Sequence, residues 1–220
     1  MIDRLYAYRF ELFLLTQLVI LFGAIVIPNA LFENWITPIF LLINVATGVL
    51  LVLKGRKSSI VLSIFILLFI IGLAGSLITT KSSGNLNYIK LASYFLFYAL
   101  VTIEIIRQVW NAKVVGKNVI LGLISGYISL GLLSFFVCIT IEIVYPNSFS
   151  GLTYVNGDMS ESLMYYSYIT LMTIGYGDIL PITPIAQKAS IFIGLIGQFY
   201  LVILTAIVVG KYINQKSILK

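Results

Sequence analysis

The chain has no histidine and one cysteine, Cys138, in 220 residues. Without histidine neither Ser-His-Asp nor Cys-His catalysis can be assembled, and His-rich zinc sites are excluded. One cysteine allows no disulfide within the chain and no Cys-rich zinc site. Charge is also scarce. Only 10% of residues are Asp, Glu, Lys or Arg, against about 25% in an average soluble protein. Mean hydropathy is +1.06, so too little polar sequence remains to clothe a water-exposed globule, and a soluble enzyme is excluded. Internal repeats and low-complexity tracts are missing as well.

What is present is apolar length. Hydrophobic residues make up 60% of the chain, about 132 positions, where six membrane helices of ~20 residues need about 120. Apolar runs fall at 10–27, 35–53, 58–78, 88–109, 118–144 and 186–213. They predict an all-α membrane protein with six transmembrane helices. The 145–183 stretch between the last two runs is less apolar and carries Asp158, Glu161 and Asp178, and function is expected there.

The charges orient the spans. With both termini in the cytoplasm, Arg4, Arg9, Lys54, Arg56, Lys57, Arg107, Lys113, Lys117, Lys211, Lys216 and Lys220 lie inside, and only Lys81, Lys90 and Lys188 lie outside. The acidic residues Glu33, Glu142, Asp158, Glu161 and Asp178 fall outside. This is the positive-inside bias, and an odd number of spans would spoil it. The net charge of +6 therefore reports topology rather than a nucleic-acid partner. Arg4 and Arg9 ahead of an apolar run mimic a secretory leader, but the run is long and the residues before Leu31 make a poor cleavage site. The expectation is a retained first span.

Residues 158–178 read DMSESLMYYSYITLMTIGYGD. The second half, Thr170-Leu-Met-Thr173-Ile-Gly175-Tyr-Gly177-Asp178, resembles the potassium-channel family signature T-x-x-T-x-G-Y-G-D. Six fixed positions at this spacing arise by chance in a chain of this length with a probability on the order of 10⁻⁵. The motif also sits where the family carries it, between the last two spans, with Pro181 following. The resemblance implies a selectivity filter binding potassium through carbonyls of Thr173, Ile174, Gly175 and Tyr176, with the Thr173 hydroxyl as innermost ring. Consecutive carbonyls aimed at one axis need alternating backbone handedness, which Gly175 and Gly177 permit. Tyr165 and Tyr166 match the family's aromatic pair behind the filter, and Thr170 opens the signature. Asp178 is expected at the outer mouth, bracing the filter or concentrating cations. Ile169 departs from members that hold a buried carboxylate there.

Ser160 to Met172 is too short to span, so it reads as a re-entrant pore helix. Asp158 or Ser160 is expected as its N-cap, with Glu161 in the first turn. One chain supplies one filter strand, and the family assembles four, so the resemblance implies a homotetramer. In the last span Gly194 and Gly197 resemble family hinge glycines, while a small-residue packing surface explains the same residues. The run from Gly197 to Gly210 also resembles the inner helix of bacterial two-span channels. Leu201, Thr205 and Val209 follow Gly197 at four-residue spacing as candidate pore-lining and gate residues, and a ring of Val209 is a candidate dewetting gate.

A voltage sensor needs an arginine repeat in the fourth span, where 88–109 holds only Lys90, Glu104 and Arg107. One charge crossing the field is worth ~2.3 kcal/mol per 100 mV, and strongly gated members move three or four per subunit. Arg107 with Glu104 reads as a helix-surface pair. The expected division is a sensor-like module without sensor arginines at 1–112 and a pore domain at 113–220. Glu142 is either a brace for the pore mouth or an interfacial carboxylate. Lys188 reads as a solvated interface residue, Cys138 as packing, and Tyr6, Tyr8, Tyr145 and Tyr154 as interfacial belts.

The expected function is a passive potassium channel in the plasma membrane, weakly voltage dependent at most. Its expected partners are lipid and copies of itself, with no nucleic acid, no organic cofactor and no substrate other than potassium. Alternatives are a subunit silent without a lipid or partner activator, and a coupled potassium transporter, although such transporters carry four filter-like repeats in one chain. A membrane enzyme is disfavoured because no paired intramembrane carboxylates are visible.

Overall fold

The computed structural model describes residues 6, 8–27, 36–52, 84–154 and 159–218. Seven α-helices are found among them: α1 (Arg9–Phe22), α2 (Thr37–Val52), α3 (Gly84–Asn111), α4 (Lys117–Val144), α5 (Ser160–Leu171), α6 (Pro184–Phe199) and α7 (Thr205–Ile218). A 3-10 turn, Gly23–Ile25, ends α1, and a π-helical turn, Tyr200–Leu204, joins α6 to α7. Two-residue strands β1 (Phe149–Ser150) and β2 (Leu180–Pro181) pair antiparallel.

Among the described residues three helical segments are long and apolar enough to cross a membrane: Leu91–Asn111, Lys117–Val144 and Pro184–Gln215. Ile39–Leu51 is a shorter apolar helix. Together they make the chain an all-α membrane protein. The first expected span, 10–27, is α-helical only to Phe22. The third, 58–78, lies outside the described residues, as do Lys54, Arg56, Lys57, Lys81, Glu33 and Asp158.

The chain divides into two compact units, 1–126 and 127–220, with the division inside α4. In the first unit, α1, α2 and α3 share a core of Phe10, Phe13, Val45, Phe97, Tyr98, Val101 and Ile105. A buried Asn44 ties the three helices together. Its amide donates to Thr16 Oγ1 at 2.7 Å and to the Phe13 carbonyl at 3.3 Å, and its Oδ1 accepts from Tyr98 OH at 2.8 Å. A buried amide without such partners costs a few kcal/mol, so this placement holds only because all three helices contribute. At the start of α4, Lys117 Nζ pairs with Glu11 at 3.2 Å, and Gly122 leaves room for the Phe10 ring.

In the second unit, α5 is fastened to α4. The Tyr168 ring lies across Gly131, too close for any Cβ there, and its hydroxyl donates to the Ile128 carbonyl at 2.7 Å. Beyond α4 the chain turns sharply at Asn147, which has φ +64. Glu142 accepts from the amides of Asn147, Ser148 and Phe149 at 2.7, 2.9 and 3.1 Å. It is a buried carboxylate bracing its own turn, in the segment that pairs with the chain leaving the signature loop. That segment is joined to the chain leaving the signature loop. Ile182 N donates to Ser148 O at 2.7 Å, and Gly151, with φ +81, leaves no space for a Cβ against the Asp178 carbonyl. Thr183 then caps α6, accepting from Ala186 N at 3.4 Å, with Pro184 at the first helical position.

Candidate functional site

The site is the 172–178 loop between α5 and β2. The α5 helix ends at Leu171, and its last carbonyls receive the amides that follow. Thr173 N donates to Thr170 O at 3.0 Å, Ile174 N to Ile169 O at 2.9 Å and Gly175 N to Ile169 O at 3.3 Å. Tyr127 OH donates to Leu171 O at 3.3 Å. The carbonyl end of α5 is therefore largely satisfied by the loop itself, which anchors the loop's base to the helix.

Above this anchor the backbone alternates in hand. Thr173, Gly175 and Gly177 have φ of +56, +55 and +82, and no other residue of the loop has a positive φ. Left-handed residues separated by right-handed ones turn successive carbonyls toward the same side, which a regular strand cannot do because its carbonyls alternate. Glycine adopts this region at little cost. Thr173 is β-branched, and at φ +56 it stores strain on the order of 1–2 kcal/mol. The sequence offers no sign of a left-handed threonine, since only glycines advertise that conformation.

A Cβ built on Gly175 or Gly177 meets nothing within 4 Å. Residues 172–178 are all exposed on the single chain, with Ile174 48% and Tyr176 71% accessible. A loop so ordered by its own helix, yet with two large apolar side chains uncovered, presents an unsatisfied surface.

The two aromatic residues behind the loop divide their work. Tyr165 hydrogen-bonds Asp178, and desolvation, that hydrogen bond and the nearby carboxylate's charge push its phenol above the ordinary value. Tyr166 faces the other way. Its hydroxyl lies 2.6 Å from Ser190 Oγ on α6, and its ring packs edge-on against Phe149. Ile169 is buried, so among the described residues no carboxylate stands behind Asp178 from that position. The N-terminus of α5 differs from expectation: the cap position is Met159, without a side-chain bond, and Ser160 is already helical. Glu161 does occupy the first turn.

On α6, Gly197 is buried against α5, and a Cβ there would overlap the Leu171 carbonyl. Gly194 is looser, with Thr170 O at 3.9 Å. The next residue after Gly197, Gln198, was not singled out by the motif, yet its Nε2 donates to Thr173 Oγ1 at 2.9 Å. Leu201, Thr205 and Val209 are exposed. The π-turn at Tyr200–Leu204 adds a residue to the helical repeat, so four-residue spacing from Gly197 does not preserve one face across it.

No group of three or more His, Cys, Asp or Glu able to hold a metal is found among the described residues, so cation ligation at the loop would rest on carbonyl and hydroxyl oxygens. No curated protein and no solved structure matches the chain. A family model described as "Ion channel" matches residues 132–214, a segment that contains the second half of α4 from Leu132, α5, the whole loop, α6 and the part of α7 up to Asn214. The 132–214 segment, built around this loop, is thus similar to an ion-channel domain.

Proposed function

We propose that the chain is a passive, potassium-selective channel that works as a homotetramer in the plasma membrane, with both termini cytoplasmic. The observation that carries this reading is the alternation of left-handed residues at Thr173, Gly175 and Gly177 within the T-x-x-T-x-G-Y-G-D signature. Four such loops around an axis would stack carbonyl rings from Thr173, Ile174, Gly175 and Tyr176, with Thr173 Oγ1 below them. Oxygens at that density replace the hydration shell of potassium on all sides. Rings of neutral carbonyls bind weakly enough at several adjacent sites for ions to move on.

Assembly also accounts for the uncovered surface. Tyr176, Phe199 and Val202 are 71, 58 and 64% accessible on one chain. Gly197 and Leu171 bring α6 against the end of α5, so the loop and the inner helix present a single face to neighbouring copies. Asp178 and its partner Tyr165 brace the outer mouth, and Thr205 and Val209, exposed and four residues apart within α7 beyond the π-turn, line the lower conduction path. Gly194 is the freer of the two candidate hinge glycines.

The 1–112 region lacks the arginine repeat of a voltage sensor. Arg107, 73% exposed and 3.8 Å from Glu104, is a surface pair, and Asn44, Thr16 and Tyr98 supply the polar core with neutral groups. Voltage dependence is accordingly weak. The test is potassium flux from proteoliposomes holding the purified protein: rapid dissipation of a potassium gradient and none of a sodium gradient is expected, and equal rates would refute selectivity.

A further inference from the structure

Thr173 is the least comfortable residue of the loop: β-branched, left-handed at φ +56 and exposed on the single chain. Two bonds hold it. Its amide donates to Thr170 O at 3.0 Å, and its hydroxyl oxygen accepts from Gln198 Nε2 at 2.9 Å. The second bond depends on Gly197, because only a residue without Cβ lets α6 approach the Leu171 carbonyl so closely. The close approach then brings Gln198 within hydrogen-bond reach of Thr173.

We infer that Gln198 is a positioning residue for the innermost cation site, fixing the Thr173 hydroxyl so that an oxygen lone pair faces the axis. This rests on the proposed channel reading. A hydroxyl has one proton and two lone pairs. The Gln198 N–H takes one lone pair, which forbids the rotamer that points the hydroxyl proton at Gln198 and holds the oxygen in place. The second lone pair and the proton share the two remaining directions, and a cation on the axis selects the arrangement in which the lone pair faces it. Four amides in this role form a polar collar between the inner cavity and the filter, where an arriving ion exchanges water for threonine oxygens. The ligand class is a monovalent cation of potassium size, or a divalent cation of similar radius acting as a blocker from the inside.

The experiment uses the full-length protein in planar bilayers, with internal barium as the probe and size-exclusion chromatography to verify assembly. Gln198→Met keeps length and removes the donor. It is expected to weaken internal barium block about tenfold and to lower potassium-over-sodium selectivity. Gln198→Asn keeps an amide but shortens its reach, and gives the same loss if the Met variant does not assemble. In a Thr173→Ala background the Gln198 substitution is expected to change barium block less than twofold, since the shared bond is already gone. A tenfold effect that persists in that background would show that the amide acts without the hydroxyl, and overturns the inference. Unchanged block in a selective wild-type background overturns it too. A wild-type protein that conducts sodium as well as potassium would instead refute the channel reading on which it stands.

Discussion

Tyr168 lies across Gly131, with its hydroxyl 2.7 Å from the Ile128 carbonyl one turn earlier on α4. This contact sets the distance between α5 and α4, because any side chain at 131 must displace the ring. Gly131→Ala is expected to destabilise the 127–220 unit by about 1–3 kcal/mol. The check is a lowered thermal midpoint of the purified protein in detergent, and Tyr168→Leu in the same background should recover part of the loss.

Glu142 collects three backbone amides in one buried turn. Glu142→Ala leaves those donors without an acceptor, at about 1–3 kcal/mol for each that water cannot reach. Poor recovery of assembled protein is expected, with Glu142→Gln intermediate because one amide oxygen replaces two carboxylate oxygens. Equal yields of all three proteins would show that the turn is held otherwise.

At Gly177 the obstacle to a side chain is backbone conformation and not space, since φ is +82 and nothing lies within 4 Å. Gly177→Ala should cost about 1–2 kcal/mol per loop and suppress potassium flux while leaving helix content by circular dichroism unchanged. At Gly197 the obstacle is contact with the Leu171 carbonyl, so Gly197→Ala should lower thermal stability as well as flux.

The Tyr165 phenol, raised above its ordinary value by desolvation and then by its bond to Asp178, donates to that carboxylate throughout the physiological range. The group keeps its proton longer in the folded protein than in the unfolded chain. Its stabilising contribution is therefore whole below pH 10 and lost as pH rises from there through the raised value. Tyr165→Phe should destabilise the outer mouth at pH 7, and the difference from wild type should shrink in an alkaline titration of the thermal midpoint.

Arg107, exposed and paired with Glu104 at 3.8 Å, carries no gating role in this account. Arg107→Gln is expected to leave the voltage dependence of open probability unchanged, measured by stepped-voltage recording.

The left-handed turns at Gly175 and Gly177 were legible because the signature places glycines at those alternate positions. The helix at α5 was legible within one residue, 160–172 expected against Ser160–Leu171 observed, since a polar start and an apolar run bracket it. Its cap was not, because Met159 occupies the cap without a side-chain bond and no propensity rule anticipates that. The π-turn at Tyr200–Leu204 escaped because spacing arguments presume a constant 3.6-residue repeat. Gln198 and the left-handed Thr173 share another reason: their bond joins two elements brought near through tertiary packing, while the Glu142 turn depends on a side chain folding back onto its own chain. The neutral core around Asn44 was foreshadowed only by the shortage of charge in the fourth span.

The most direct test of the account is the reversal potential of single channels of the purified protein, with potassium on one side of a planar bilayer and sodium on the other. A value close to the potassium equilibrium potential, with open probability nearly flat in voltage, is the predicted result. A reversal potential near zero, meaning equal passage of sodium, would contradict the ring of carbonyls assigned to Thr173, Ile174, Gly175 and Tyr176.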